Sequence, residues 1–393
     1  MTVDAERTRI PTGQSHSGGV DGFVDRYADT YRYYGSGKVA LRDGLRTIAD
    51  RGETVLFPAY LPDAVVEPVR ELDLEPRYYA VTRELEPDLA DLEARLDEAT
   101  AAVVSVNYFG YPQSRREDLA RAVDGAEAYL VDDNAHGPFS VHEDRLLGTN
   151  GDLGITSLRK VLPIPNGAVL YLSNPTLADR FDPSAHCGVA DRVSWGDVRF
   201  RLANGIESLA SLCGPVGRTI GSYVDRPATD PAPPMRRYEA SKEPLSKLAA
   251  SRCSTVDPVE VRDRRRANVL AWQSGLTERA DVIPVFAGLP SGICPQVYPV
   301  YVDRPRSFLQ ELAEAGVRGA ATWPRLPDAV STIDDFETTQ WLARHVITLP
   351  VHQGLDPVTI EDFVDRLVDS TATDRTGGHR TPSVREAVTK STR

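Results

Sequence analysis

Short apolar runs and amphipathic stretches alternate along the first half of the chain. The segments VLFPAY (55–60), RYYAV (77–81), AAVVSVNYF (101–109), AYLVDD (128–133), GITSL (154–158) and AVLYLS (168–173) have the length and the β-branched and aromatic content of buried strands. Between them, residues 38–51, 62–73, 88–98 and 115–124 repeat apolar positions at helical spacing. That alternation predicts an α/β fold, a mostly parallel sheet covered by helices on both faces. The rhythm changes after about residue 175. Residues 190–225 read as helical, DRPATDPAPPM (225–235) as a proline-rich connector, and 258–276 as one long helix. Its arginines Arg262, Arg264, Arg265 and Arg266 read as a solvated face. YPVYV (298–302), SFLQELAEAG (307–316) and a closing helix around 359–368 predict a smaller α+β domain. The pattern thus divides the chain into a flexible N-terminal segment (1–30), a large domain (31–235), a small domain (236–369) and a disordered tail (370–393).

Composition narrows the function. The chain of 393 residues is too long for a single small binding module, and it is 41% hydrophobic and 26% charged, as soluble globular proteins are. No apolar stretch approaches a membrane span, and the first residues lack the apolar core of a signal peptide, so a cytoplasmic protein without membrane partners is expected. The net charge of −12 argues against nucleic acid as a partner, because phosphate contacts need a basic face. Of the 45 basic residues only Lys38, Lys160, Lys242, Lys247 and Lys390 are lysines. An acidic, lysine-poor surface suits a halophilic protein dissolved in concentrated salt, and a GC-rich genome gives the same bias. Cys187, Cys213, Cys253 and Cys294 are widely spaced and the seven histidines form no ligand pattern, so reduced thiols and no metal are expected.

In a doubly wound sheet, ligands bind beyond the carboxyl ends of strands, and polar residues that end strands draw attention first. Gly35-Ser36-Gly37-Lys38 opens a helix, where glycine permits close approach and free amides suit an anion. LVDDNAHG (130–137) runs an apolar strand into Asp132, Asp133 and His136, and a carboxylate buried there needs a cation or donor. Thr156-Ser157-Leu158-Arg159-Lys160 follows another strand, and a desolvated lysine amine becomes a nucleophile toward carbonyls. Tyr60, in the loop after a strand, is placed to stack on a flat ring. A phosphate cradle, an acid and a lysine in this order match the three handles of pyridoxal 5'-phosphate: its phosphate, its ring nitrogen and its aldehyde.

On these residues the chain resembles the DegT/DnrJ/StrS-type aminotransferases, a family of the aspartate aminotransferase fold (fold type I), over roughly residues 34–370. GSGKVALRDGLRTIADRGETVLFPAY resembles the family's Ser-Gly-Thr helix start and Gly-Asp-Glu-Val-Ile-x-Pro strand; SVNYFGYP resembles Val-His-x-x-Gly-x-Pro, with Asn107 at the histidine. VDDNAHG resembles Glu-Asp-Ala-Ala-Gln, and GTNGDLGITSLRKVLPIPNGA the segment running into the Schiff-base lysine. HVITLPVHQGLDPVTIEDFVDRL is close to the family's Leu-Pro-x-x-x-x-Leu ending. Ser157 and Lys160 are three apart where the family has five, and of its Asn-x-Arg-Met stretch only Met235-Arg236-Arg237 sits nearby.

The resemblance implies a cytoplasmic homodimer that transfers an amino group from glutamate to a keto-sugar nucleotide. It implies catalytic Lys160 and Asp133, with Gly37, Lys38, Tyr60, His136 and Ser157 completing the cofactor site. Arg32, Arg236 and Arg325 are candidates for the substrate's diphosphate. Two alternatives stay open at this point: another fold type I enzyme, such as an amino-acid aminotransferase, lyase or dehydratase, and a non-catalytic cofactor-binding regulator.

Overall fold

The computed structural model describes residues 18–194, 196–201 and 234–373. Nine strands lie in the first half of the chain: β1 (Tyr31–Tyr34), β2 (Thr54–Pro58), β3 (Glu75–Tyr79), β4 (Thr100–Val106), β5 (Tyr129–Asn134), β6 (Val141–His142), β7 (Arg145–Leu146), β8 (Leu153–Thr156) and β9 (Ala168–Leu172). Seven form one sheet in the order β1-β9-β8-β5-β4-β2-β3, and β6 and β7 pair as a small hairpin. The block from β8 to β3 is parallel. Every residue of β2, β4 and β9 is buried, as expected of strands covered on both faces. The helix Gly37–Arg46 lies on this sheet through Val39, Ala40, Leu41 and Leu45, and Gly44 lets its backbone approach Leu153 and Leu170.

The sheet also has an antiparallel flank, since β9 runs against both β8 and β1. Only residues 157–167 join β8 to β9, too few for the crossover helix that a parallel neighbour needs. Four more strands, β10 (Val282–Pro284), β11 (Val297–Val302), β12 (Ala321–Thr322) and β13 (Val346–Pro350), form an antiparallel sheet in the order β10-β11-β13-β12. The helices Pro258–Gly275 and Pro357–Thr373 pack on each other, and the fully buried Trp272 of the first donates its indole N–H to the carbonyl of Pro350 at 2.9 Å. Among the described residues no helix is long and apolar enough to cross a membrane.

The structure corrects three expectations. Residues 19–30 are not a loose segment: Gly19–Val24 is a helix that buries Val20, Phe23 and Val24, and its Asp21 accepts the hydroxyls of Tyr31 and Tyr33. The final helix continues to Thr373, into the stretch assigned to the tail, and residues 374–393 lie outside the described part. The arginine run is not uniformly solvated either, because Arg265 is only 3% exposed. Of the helical stretch expected at 190–225, residues 196–201 are helical and 202–225 lie outside the described residues, as does most of the proline-rich connector.

Candidate active site

Parallel register puts the carboxyl ends of three strands side by side. Val106 of β4 stands opposite Asp133 of β5, and Asn134 of β5 opposite Thr156 of β8. The segments that leave these ends carry Asn107 to Gly110, Asp133 to His136, and Ser157 to Lys160. Because β9 is antiparallel to both β8 and β1, the end of β1 returns to the same edge: Val169 pairs with Thr156, and Ala168 with Tyr34. The chain then turns through Gly35 and Ser36 into the helix Gly37–Arg46. An ideal Cβ on Gly37 would sit 4.0 Å from the Cβ of Ser157 and 3.9 Å from Ile155 Cδ1. The helix start and Ser157 therefore meet.

The helix start suits an anion. Ser36 occupies the N-cap position yet makes no side-chain capping bond. The first helical bond is that of Ala40 N–H to Ser36, which leaves the N–H groups of Gly37, Lys38 and Val39 without intrahelical acceptors. These point where a phosphate binds best. The ammonium group of Lys38 turns elsewhere, to a 2.7 Å ion pair with the buried carboxylate of Glu67, so Lys38 contributes its amide alone.

Asp133, His136 and Lys160 form the second half of the site. Burial raises the Asp133 carboxyl to about 6; the Ala135 N–H, donating at 2.8 Å, and the Lys160 ammonium oppose that rise. Burial first, and the same ammonium second, push His136 well below its ordinary range. The tautomer of His136 follows from its neighbour. The Phe109 N–H donates to Nδ1 at 3.0 Å, so Nδ1 is bare and the neutral ring carries its proton on Nε2. His136 is thus a fixed hydrogen-bond donor beside the lysine. To make this bond Phe109 adopts φ +58°, a left-handed conformation unusual for an aromatic residue, and Gly110 follows at φ +91°. Glycine is required there, since a Cβ on Gly110 would lie 2.6 Å from the Cys294 carbonyl oxygen.

An aromatic wall closes the other side. Trp323 meets His136 edge-on at 5.2 Å between ring centres, Phe109 at 5.2 Å and Tyr60 at 5.1 Å. Tyr60 also packs on Tyr108 at 5.5 Å, and its hydroxyl donates to the Trp323 carbonyl. The buried Tyr108 hydroxyl has no hydrogen-bond partner among the described residues, and burial, the neighbouring Tyr79 and Tyr60, and Asp133 keep it protonated. Phe109, Tyr108 and Trp323 were not among the site residues expected from the sequence, although Trp323 lies two residues before the candidate Arg325. Arg325 is exposed two residues from Trp323; Arg236 is exposed on the helix Pro234–Ala240; Arg32 donates to its neighbour Tyr31 at 2.8 Å. An open cleft of about 480 Å³ lined by Tyr111, Gln113, Arg115, Arg116, His142 and Phe286 includes none of the candidate residues.

This donor set fits pyridoxal phosphate. The N–H groups of Gly37 and Lys38, with the Ser157 hydroxyl, suit its phosphate. A buried Asp133 with one recorded donor keeps lone pairs for a protonated ring nitrogen, Lys160 suits the aldehyde, and the Nε2–H of His136 suits a ring oxygen. Asp132, its neighbour, points to the opposite face and is fully engaged by Asn107, Gly148 and Asn150.

Comparison with known proteins agrees. Residues 34–206 match the family model of the DegT/DnrJ/EryC1/StrS aminotransferases. No curated protein sequence matches the chain. Among solved structures, the aminotransferase TlmJ from Streptoalloteichus hindustanus superposes with a TM-score of 0.65 at 18% identity, covering 90% of each chain. PseC from Helicobacter pylori, an aminotransferase of pseudoaminic acid biosynthesis, gives 0.64 at 11% identity over 90% of each. The putative sugar aminotransferase Spr1654 from Streptococcus pneumoniae, in its PMP form, gives 0.65 at 15% identity, again over 90% of each chain. The fold is that of the type I pyridoxal-phosphate aminotransferases.

Proposed function

We propose that this chain, whose residues 34–206 match the DegT/DnrJ/EryC1/StrS aminotransferase family model, is a pyridoxal-phosphate-dependent aminotransferase that moves the amino group of glutamate to a keto sugar carried on a nucleotide. The observation that carries the reading is the convergence of Lys160, Asp133 and His136 at one sheet edge, beside the Gly37–Ser157 contact.

When bound, the cofactor supplies an electron sink that stabilises negative charge at the carbon losing its proton. The chain supplies the rest. Lys160 would hold the cofactor's aldehyde through its Nζ, and the same amine would serve to hold and move the proton at the substrate carbon. Asp133 holds a proton at the ring nitrogen; an ionised carboxylate in a buried setting is worth far more there than in water. His136 is neutral with a fixed Nε2–H, so it orients the ring without adding a second positive charge beside Lys160. Trp323 and Tyr60 exclude water from one side. Arg325 is exposed two residues from Trp323, and its guanidinium is the proposed partner of a sugar nucleotide's diphosphate.

A homodimer in the cytoplasm completes the proposal. It rests on the family's habit of placing the site against a partner subunit and on the acidic composition. Two assays test the reading. Borohydride should fix the cofactor to Lys160, and glutamate should convert the loaded protein to its amine form. A panel of keto-sugar nucleotides should then be aminated, with Arg325→Ala raising KM for the sugar by roughly tenfold, the loss of one charge-assisted contact, while leaving the glutamate half-reaction unchanged. If simple 2-oxo acids react briskly and no sugar nucleotide does, the substrate assignment is wrong.

A further inference from the structure

Four arginines crowd residues 262–266 of the helix Pro258–Gly275, and one of them faces inward. Arg265 lies with Val261, Asn268, Val269 and Trp272 on the buried stripe. Its guanidinium meets no carboxylate among the described residues. Instead Nε donates to Gln353 Oε1 at 2.9 Å, Nη1 to the carbonyls of Pro295 and Gln296 at 3.0 Å each, and Nη2 to the Val161 carbonyl at 3.1 Å. Burial lowers its pKa only to about 10, so the cation persists at neutral pH. The two titratable groups beside it do not balance the charge: burial holds the His352 ring down to about 4 and the Cys294 thiol up to about 11, and both are neutral. A buried cation without a counter-ion is a costly way to fill space, so a purely structural need would be met better by an apolar side chain.

What this guanidinium joins explains its retention. Val161 directly follows Lys160, and its carbonyl also accepts from Gln353 Nε2 at 2.9 Å. Gln296 donates its own N–H to the Phe109 carbonyl at 2.9 Å, and the Phe109 N–H is the group that fixes the His136 tautomer. One side chain thus reaches the lysine by one bond and the histidine by a relay of three. We infer that Arg265, with Gln353, is a positioning residue for the reaction: from the helix Pro258–Gly275 it sets the turn that carries Lys160 and the Phe109 backbone that orients His136 against each other. The inference rests on the assignment of Lys160 and His136 given above.

The charge and the geometry can be separated with Gln353→Glu. A carboxylate there keeps and strengthens the contact to Arg265 but cannot donate to Val161. The variant should therefore unfold at a higher temperature than the wild type at pH 7.5, while the single-turnover rate with glutamate falls at least tenfold at little-changed KM. Arg265→Lys should show the same loss of rate, since one ammonium cannot span four acceptors. Should Arg265→Lys fail to fold, Gln353→Glu alone decides. A more stable Gln353→Glu protein that turns over at the wild-type rate overturns the inference. Hydrogen exchange on cofactor-free protein gives a second readout that needs no chemistry: Gln353→Glu should speed exchange at residues 158–164 by roughly tenfold or more, and Arg265→Lys should do so at both 158–164 and 108–110. Unchanged exchange in those segments also overturns it. If the wild type forms no borohydride-fixable adduct at Lys160, the functional assignment fails instead, and the exchange result still stands on its own.

Discussion

Asp132 and Asp133 are adjacent on one strand, equally buried, and built for opposite purposes. Alternation along β5 sends them to different faces. Asp132 accepts from Asn107 Nδ2 at 2.6 Å, from the N–H groups of Gly148 and Asn150 at 2.8 and 2.9 Å, and from Asn150 Nδ2 at 3.2 Å, so its lone pairs are filled and it ties two loops together. Asp133 has one recorded donor, the Ala135 N–H, and faces Lys160. A buried carboxylate whose acceptors are all taken is structural; one with acceptors to spare beside a cation is poised for a ligand.

Replacing Asp133 by Asn breaks the contrast most severely. Transfer should slow by roughly 100- to 1,000-fold, the scale of losing a preorganised electrostatic partner, while the cofactor stays bound. Stopped-flow measurement of the glutamate half-reaction checks this. Without cofactor the same substitution should stabilise the protein, and the pH dependence has a definite sign. The Asp133 carboxyl sits near 6 in the fold and 3.8 in the unfolded chain, so the folded state holds the extra proton between those values. The stability it contributes is full below pH 4, falls as pH rises through 6, and amounts to about 3 kcal/mol in all. Urea unfolding of cofactor-free wild type and Asp133→Asn from pH 4 to 7 should show the gap widening to pH 6 and then holding flat. Asp132→Asn should do the reverse: about 1–3 kcal/mol of stability lost to a mispaired buried amide, with the half-reaction changed less than threefold. His136→Gln should slow the half-reaction by under tenfold and leave stability almost unchanged, because the amide can still donate toward the ring.

Much of this was legible in the chain itself. Continuous apolar runs located β2, β4, β5 and β9 to within three residues, because strands buried on both faces need no alternation. The direction of β9 was not apparent from its own residues, although the short connection 157–167 carries that information. β1, YRYY, was hidden by its brevity and by a polar, glycine-rich neighbourhood. Asp133 stood out because it lies at the end of a buried strand and Lys160 because it closely follows one, whereas Trp323 comes from distant sequence, where no local pattern announces a contact with His136. Arg265 was readable in principle. It shares a helical phase with Val261, Val269 and Trp272, but charge density drew the eye to the run instead of the period.

The short return between β8 and β9 has a bearing on affinity. Residues 157–167 start and finish in paired strands of one sheet, and the far end is held again by the Gly167 N–H on the Gly35 carbonyl at 2.7 Å. Ordering a free backbone takes about 1–2 kcal/mol per residue in lost entropy. For the loop that bears Lys160, that loss falls in folding, before any small molecule arrives. The lysine consequently meets its partner with few backbone rotations left to freeze, and more of each contact's intrinsic strength remains as binding.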